Sequence, residues 1–408
     1  MTAPVAWLGH TFASLKIRDF RLLWLGSASE HTGEWMERIA VGWLVLQMTN
    51  SPFMVGLTEF MRFAALLIFP FIAGATADRV DRKKLLIATL LGLSGISAVL
   101  SVLVLTDTVT VAHLLAYSFF SGVFIAFNHP ARATLLAGIV GRASYPNAVS
   151  LDSLAVMSSR IIGSPMAGFY IVAYGMAGIL GVRFLSCLLA VMWLLKLNAP
   201  PMPTEPRKVG IWASVTEGLR FVAADRAILG ITIMSFVPMM FIFVYVSQLP
   251  VFARDVVNTG AVGLGYMNTS VGVGALIGLT WLASKGDYRH KGVLFFLSII
   301  IPGLTLVVFS ASQWLWLSLV LLLLVGAANS VFTALRSTLV LLIVPDHLRG
   351  RVMALRELSW GTTPLGMLLL GVLAEAWGAP AGTAILAGVG AVIGVIAMLS
   401  MARIRRLE

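Results

Sequence analysis

Long apolar runs separated by short polar segments dominate the pattern of this 408-residue chain. A helix needs about 20 largely apolar residues to cross the hydrocarbon core of a bilayer. Lipid cannot satisfy backbone N–H and C=O groups, so a helix is the expected form of each run. The pattern predicts twelve membrane-spanning helices, at residues 21–48, 55–77, 85–105, 111–127, 149–174, 178–197, 228–252, 263–282, 292–309, 315–335, 352–377 and 381–401.

This alternation breaks in the middle of the chain. Residues 198–208 are polar and proline-rich, which is typical of a semi-rigid linker. Residues 211–222 then have the pattern of an amphipathic helix that lies on the membrane surface. We therefore predict an N-terminal six-helix bundle at residues 1–197, a cytoplasmic linker with an amphipathic helix at 198–226, and a C-terminal six-helix bundle at 227–408.

Two short motifs recur half a chain apart. The sequence Pro-Ala-Arg-Ala-Thr-Leu-Leu at 130–136 parallels Leu-Arg-Ser-Thr-Leu-Val at 335–340, which makes Arg132 and Arg336 equivalent. The sequence Gly-Ser-Pro-Met-Ala-Gly at 163–168 parallels Thr-Thr-Pro-Leu-Gly at 362–366. Repeats in the same order indicate duplication, so the two bundles are expected to be pseudo-symmetric.

Composition agrees with an all-α membrane protein. The chain is 59% hydrophobic and 12% charged, whereas soluble domains carry about 25% charged residues. A single cysteine excludes an intramolecular disulfide. Phosphate-loop, zinc-protease and nucleophile-elbow motifs are missing from the sequence, and the histidines are scattered. We therefore expect no enzyme activity, no metal centre and no cofactor.

The net charge of +11 is interpreted as a signal of topology. Lysine and arginine concentrate in alternate polar segments, such as residues 79–84 and 403–406, and Arg132 is assigned to the same side. The opposite segments carry few bases, namely Arg183 and Arg254. The positive-inside rule then places both termini in the cytoplasm. The basic excess is expected to contact anionic lipid rather than nucleic acid.

The first predicted helix carries Glu30, Glu34, Glu37 and Arg38 within about 100° of arc, at ~100° per residue. Each ionised group costs about 2.5 kcal/mol or more at the centre of a bilayer. Such residues must face a water-filled cavity, pair with bases or hold protons. Glu34 and Arg38 are one turn apart, a favourable pair. Two interpretations of these residues are possible. They form a site for substrate and protons, or they form a structural network in which the charges are neutralised.

Other ionisable residues in predicted spans extend this set. His31 or Arg62 is expected to serve one of the remaining acids, and Arg160 in the fifth span is expected to meet another. Three residues nearer the cytoplasmic ends are expected to form contacts between the halves: Asp152, Arg356 and Glu357. The candidate substrate and proton-coupling residues are Glu30, Glu34, Glu37, Arg38, Arg62 and Arg160.

The segment from Gly74 to Lys84 reads Gly-Ala-Thr-Ala-Asp-Arg-Val-Asp-Arg-Lys-Lys. It resembles the signature loop of the major facilitator superfamily, G-x-x-x-D-R-x-G-R-R, with Asp81 in place of the glycine. That acid, together with Phe-Arg-Leu-Leu-Trp-Leu-Gly at 20–26 and Asn-His-Pro-Ala-Arg at 128–132, resembles the bacterial branch that includes the enterobactin exporter and macrolide efflux proteins.

The resemblance implies the major facilitator fold and a gating role for four residues of this loop: Gly74, Asp78, Arg79 and Arg82. Small residues there are also expected to let two helices approach closely. The segment with Gly163, Pro165 and Gly168 resembles the fifth-helix motif of proton-coupled antiporters, G-P-x-x-G-G, with serine at the second position. We expect helix kinks there and at Pro364.

These features predict a secondary active transporter of the bacterial inner membrane. It is expected to export small amphipathic compounds, such as a drug, a macrolide or a siderophore, by alternating access with proton antiport. Its expected partners are the small-molecule substrate, protons and membrane lipid, and it is expected to act as a monomer. An importer or a lysophospholipid flippase of the same fold is the alternative within the class; an intramembrane enzyme or a non-transporting receptor would be of another class.

Overall fold

The structure is a computed structural model that describes residues 12–198, 220, 222–223, 225–286, 289–344, 352 and 358–407. Residues 211–219 of the predicted amphipathic helix, together with Arg356 and Glu357, lie outside this described part. Its regular elements are all helical. Eight helices in it are long and apolar enough to cross a membrane, which agrees with the predicted all-α membrane class.

The chain divides into two compact units. The first comprises Met1–Met48 and Met61–Pro206, and the second comprises Thr49–Phe60 and Arg207–Glu408. The first part of the predicted second span therefore belongs to the second unit, together with Arg207–Glu408. The sequence pattern did not predict this assignment.

The helices that carry the acidic residues lie in the first unit, except for their residues within Thr49–Phe60. In chain order they are α1 (Arg18–Thr49), α2 (Pro52–Ile68), α3 (Pro70–Arg79), α4 (Arg82–Leu105), α5 (Val111–Gly141) and α6 (Ser144–Leu195). The predicted second span is thus two helices, since α3 begins at Pro70, where a proline needs no N–H partner.

Two glycines break the continuous helical stretch Val111–Leu195. Gly141 has φ +68° and Gly175 has φ +71°, a region that residues with a Cβ rarely enter. The first break separates α5 from α6. The second lies within α6, between the predicted fifth and sixth spans. Since α5 runs on to Gly141, it is longer than the predicted fourth span by fourteen residues, from 127 to 141.

The second unit begins with α7 (Arg226–Val237), which continues through π and 3-10 turns to Val256. Pro238 and Pro250 lie in this continuation and lack the N–H groups of a regular α-helix. The remaining helices are α8 (Gly260–Ser284), α9 (Lys291–Ser310), α10 (Leu315–Ile343), α11 (Thr363–Trp377) and α12 (Ala379–Ser400).

The eight apolar helices do not test the predicted number of twelve spans. The 32-residue α1 is rich in ionisable residues, while α2 has 17 residues and α11 has 15. The 52-residue α6 combines two predicted spans. Twelve spans and cytoplasmic termini therefore stay predictions.

Apolar packing holds the first unit together around α1. Its buried core joins Phe20 and Leu23 of α1 with Leu86 and Leu93 of α4 and Cys187 of α6. Close backbone approach adds to this packing, because a Cβ at position 33 would overlap the side chain of Ser186 in α6. These contacts fix α1 against α4 and α6.

Candidate functional site

The acidic face of α1 divides into buried and accessible carboxyls. Glu30 and Glu37 are 2% and 0% exposed, whereas the side chain of Glu34 is 24% exposed. The sequence predicted all three residues on one arc of the helix. Their exposure differs because different parts of this arc pack against different helices.

Glu30 forms an ion pair with Arg132 of α5, and Asn128 donates to Glu30 Oε1 over 3.2 Å. Arg132 was assigned to a cytoplasmic segment, but it is only 6% exposed. The helix α5 continues past the predicted end of the fourth span, to Gly141, so the side of the membrane on which Arg132 lies stays a prediction. The basic side chain lies inside the helical bundle, next to an acid.

Arg183 is a further candidate site residue, which was not among those predicted from the sequence. It was counted near an outer end of the sixth span, yet it lies within α6 and is fully buried. Its Nη1 donates to the backbone oxygen of Glu30 over 2.7 Å. An arginine inside an apolar run needs a partner at membrane depth, and that signal was present in the sequence.

Glu37 forms a buried ion pair with Arg62 of α2. Arg62 Nη2 lies 2.5 Å from Glu37 Oε1, and Nη1 lies 3.4 Å from Oε2. Arg62 Nη1 also donates to Ser121 Oγ of α5 over 3.2 Å. Arg62 was one of the two bases expected near these acids, and this pair links three helices.

Glu34 has a histidine as its acid–base partner. His31 Nδ1 lies 2.8 Å from Glu34 Oε2, one helical turn away on α1. A histidine changes charge near physiological pH, unlike the arginines that hold Glu30 and Glu37. Of the three carboxyls, this one combines partial exposure with a histidine partner.

Two arginines flank Trp35 beside Glu34. The guanidinium carbon of Arg160 in α6 lies 4.6 Å from the Trp35 ring centroid, and that of Arg38 lies 5.3 Å from it. Arg38 also lies 5.5 Å from the ring of Phe63 in α2. Trp35, Arg38, Arg160 and Glu34 are all partly exposed. We call these four residues the accessible cluster.

Polar contacts and a glycine hold α6 beside α1. Ser27 Oγ donates to Asp152 Oδ1 over 2.9 Å, and Thr32 Oγ1 donates to Ser159 Oγ over 3.2 Å. A Cβ at Gly163 would lie 2.9 Å from the backbone oxygen of Thr32. Asp152, which was expected to contact the other half, thus has a partner within its own unit.

The predicted kink residues have different structural settings. Pro165 lies inside α6, before its break at Gly175, and Gly168 is buried. Pro364 lies in the first turn of α11, directly after a 3-10 turn at Leu358–Thr362. A proline in a first turn breaks no helical hydrogen bond, so its position there is favourable.

The signature loop joins the end of α3 to the start of α4. Asp81 is the N-cap of α4, and its Oδ1 accepts from the backbone N–H of Lys84 over 3.0 Å. This cap explains a carboxylate where the general motif has glycine. Lys83 Nζ donates to the backbone oxygens of Leu195 and Leu197, over 3.3 Å and 2.6 Å, at the end of α6.

The other gating residues are less constrained. Arg79 is exposed and Arg82 partly exposed, while the side chain of Asp78 lies outside the described part. A Cβ at Gly74 would meet no atom within 4 Å, so the expected close helix approach is not seen there. The buried face of α3 is instead formed by Ala73 and Ala77, one turn apart, and Gly74 lies to its side.

Arg336 of α10 is buried, like its predicted equivalent Arg132. It is 1% exposed, and its Nη1 donates to Ser359 Oγ over 2.8 Å. Its guanidinium carbon lies 5.6 Å from the Phe332 ring. Arg336 makes further interactions in this structure. Among the described residues, no group of three histidine, cysteine or acidic side chains could hold a metal ion.

Comparison with known proteins identifies the family. The profile of the transmembrane secretion effectors matches residues 9–408. The enterobactin exporter EntS of Shigella boydii serotype 18 is 27% identical over 91% of this chain and 88% of its own. The multidrug efflux pump Tap of Mycolicibacterium fortuitum is 26% identical over 95% and 96%, and the staphyloferrin A transporter of Staphylococcus aureus is 24% identical over 85% and 87%.

Solved structures show the fold. A bacterial homologue of the human lysosomal transporter Spinster aligns with a TM-score of 0.75 and 14% identity, over 95% of this chain and 98% of that one. The nucleoside transporter NupG aligns with a TM-score of 0.70 and 14% identity, over 94% and 99%. The protein is therefore a transporter rather than an enzyme, and it is a multi-pass protein of the bacterial inner membrane. The chain belongs to the transmembrane secretion effector family of the major facilitator superfamily.

Proposed function

We propose that this protein is a proton-driven exporter of small amphipathic compounds that works by alternating access. The relatives that support export are named an enterobactin exporter and a multidrug efflux pump. None of the matched relatives named above is called an importer or a flippase, so that alternative is not favoured. The proposal includes twelve spans in two six-helix bundles joined at residues 198–226, cytoplasmic termini, contact with membrane lipid and a monomeric state.

The observation that carries the proposal is the pair formed by Glu34 and His31. Both groups can exchange a proton, they lie 2.8 Å apart, and Glu34 is partly exposed. A partly exposed ionisable group at membrane depth is stable when it faces water rather than lipid. This pair is therefore assigned as the place where protons bind and leave during transport.

The other two glutamates support a different role. Glu30 and Glu37 are each engaged by a buried arginine, Arg132 and Arg62. Removal of one partner from such a pair leaves an uncompensated buried charge. The neutralised structural network considered from the sequence thus fits Glu30 and Glu37, and the proton site fits Glu34.

A gating role is proposed for the loop between α3 and α4. Gly74, Asp78, Arg79 and Arg82 match the superfamily motif by position. Exposure of Arg79 supports the role, because an exposed base is able to change partners during a transport cycle. Asp81 and Lys83 supply the rigid frame of this loop through their helix caps.

The test is transport in proteoliposomes with an imposed pH gradient. Efflux of fluorescent dyes and movement of protons would be followed together in wild type and in Glu34→Gln. We expect Glu34→Gln to lose at least about 10-fold of gradient-driven transport, as expected for removal of a group that takes part in proton transfer. Exchange of substrate across the membrane without a gradient should persist in this variant.

Asp107→Asn provides the matched control. Asp107 lies in the exposed turn after α4 at φ +52°, a conformation that asparagine also tolerates. Gradient-driven transport by this variant should equal wild type. If Glu34→Gln moves substrate with protons as wild type does, the assignment of the proton site is wrong.

A further inference from the structure

We infer that the exported substrate is an organic anion with an aromatic ring, bound at the accessible cluster by Arg160, Arg38 and Trp35. The inference rests on the proposed export function and names the class of its substrate. It differs from the sequence-based expectation, in which the glutamates of α1 were candidates for binding a cation.

The geometry of the cluster supports recognition of an anion. Both guanidinium groups lie over aromatic rings, at 4.6 Å for Arg160 and 5.3 Å for Arg38 from the Trp35 centroid. Stacking engages the flat face of a guanidinium group, while its N–H donors lie in the plane and point outward. The N–H donors of two such guanidinium groups match the oxygens of a carboxylate, sulfonate or phosphate.

Charge in the cluster also favours an anion. The partly exposed groups are two guanidiniums and one carboxylate, Glu34, which already interacts with His31. The remaining acids of α1, Glu30 and Glu37, are held by Arg132 and Arg62 and are buried. Arg38 and Arg160 make further interactions in this structure. An anion bound at the cluster would share or exchange those contacts.

The aromatic part of the substrate is inferred from the rings around the same arginines. Trp35 and Phe63 are partly exposed, and Arg38 lies within 5.5 Å of both ring centroids. An aromatic ring gains from stacking on a guanidinium plane or on another aromatic ring. A substrate with both features would satisfy the donors and the apolar ring faces together.

Gly163 sets the distance between the two sides of this cluster. It lies one turn after Arg160 on α6, and a Cβ there would be 2.9 Å from Thr32 O and 3.5 Å from Trp35 Cβ. A larger residue would push α6 away from α1 and carry Arg160 away from Trp35. Gly163 is therefore a positioning residue for the anion site.

The test compares two permanently charged probes of the same ring system, naphthalene sulfonate and naphthyl trimethylammonium. Their binding to the purified full-length protein would be measured by equilibrium dialysis. We expect wild type to bind the sulfonate more tightly than the ammonium. Arg160→Gln and Arg38→Gln should each weaken sulfonate binding by about 10-fold, the usual effect of losing a hydrogen bond to a charged group.

Three further variants separate this effect from misfolding. Arg160→Lys should retain part of the preference for the sulfonate, since it keeps the charge but loses the planar guanidinium group. Gly163→Ala should weaken sulfonate binding although both arginines are present. Arg403→Gln, which alters a side chain that is 70% exposed at the end of α12, should bind both probes as wild type does.

Binding of neither probe, equal binding of the two, or tighter binding of the ammonium would overturn the inference. Retention of the sulfonate preference in Arg160→Gln and Arg38→Gln would overturn it as well. The proposed function is tested separately in proteoliposomes. If the protein transports only the ammonium probe, coupled to protons, the anion site is contradicted but the proposed export function is not. If the Glu34→Gln variant still couples transport to protons, the proposed proton site is contradicted.

Discussion

Burial changes steadily across the acidic arc of α1. At ~100° per residue, Glu37 and Glu30 lie on one side of the arc and Glu34 and Arg38 on the other. The first two are 0% and 2% exposed, and the last two are partly exposed. The two edges of the stripe thus have different surroundings, because one edge packs against arginines of α2 and α5 and the other edge is partly exposed.

The buried pair of Glu37 and Arg62 should contribute strongly to stability. Glu37→Gln leaves the Arg62 guanidinium buried without its counter-ion, which we expect to lower the free energy of unfolding by about 3 kcal/mol. The double variant Glu37→Gln with Arg62→Gln should lose less than the sum of the two single losses. Thermal unfolding in detergent would measure both effects.

Glu34→Gln is the control for that measurement, since Glu34 is partly exposed and pairs with a histidine. It should unfold close to the wild-type temperature. Equal destabilisation by Glu34→Gln and Glu37→Gln would show that burial does not separate the two carboxyls as described here.

At the level of helices, the ends of α4 and α6 are joined by caps. Asp81 accepts from the first turn of α4, and Lys83 donates to the last carbonyls of α6. An acid at a helix start and a base at a helix end both complement the helix dipole. The signature loop is therefore a structural joint as well as a candidate gate.

Replacement of Asp81 should reveal the cap. Asp81→Ala should destabilise the protein by about 1 kcal/mol, Asp81→Asn by much less, and Asp81→Gly by only a few tenths of a kcal/mol. Thermal unfolding of the three variants would show this order. If Asp81→Ala is as stable as Asp81→Asn, the cap contributes little to stability. The presence of an acid at this position then needs another explanation.

Gly74 offers a test of gating that is separate from folding. Because a Cβ there would meet nothing within 4 Å, Gly74→Ala should fold and gain about 0.5–1 kcal/mol from its helix preference. Gradient-driven transport should nevertheless fall if α3 approaches another helix closely at another stage of the cycle.

Gly122→Ala is the matched comparison for Gly74→Ala. Its Cβ would overlap the backbone oxygen of Arg62 and lie 2.9 Å from the Cβ of Ala65, so this variant should lose stability. Full transport activity in a stable Gly74→Ala protein would argue against a gating role for that glycine.

For the whole molecule, the two proposals together determine how transport responds to membrane potential. Exchange of one proton inward for one monovalent anion outward moves two charges in the same electrical direction. Each charge contributes about 2.3 kcal/mol per 100 mV. A potassium diffusion potential imposed with valinomycin, negative on the cytoplasmic side, should therefore accelerate efflux of naphthalene sulfonate even without a pH gradient.

An electroneutral exchange of one proton for one monovalent cation provides the contrasting case. Such a cycle moves no net charge and would not respond to the imposed potential. Insensitivity of sulfonate efflux to the potential would exclude the combination of proton antiport with an anionic substrate.

Hydropathy and local motifs were enough to predict the all-α membrane class, the family and the acidic stripe of α1. They succeed because lipid imposes apolar helices of a minimum length, and because helix periodicity places residues three and four apart on one face. The prediction that Arg62 lies near one of these acids rested on the need of a charged group at membrane depth for an opposite charge, here from the neighbouring span.

Tertiary structure decided which charges are neutralised. Arg132 and Arg183 reach Glu30 from 102 and 153 residues away in sequence, and no local pattern contains that information. The assignment of Thr49–Phe60 to the second unit also depends on contacts between residues far apart in sequence. One of them is the hydrogen bond from Phe53 N to Glu375 Oε2, over 3.1 Å. Periodicity places side chains on a face of a helix, but the packing of distant helices decides whether that face meets water, an arginine or lipid.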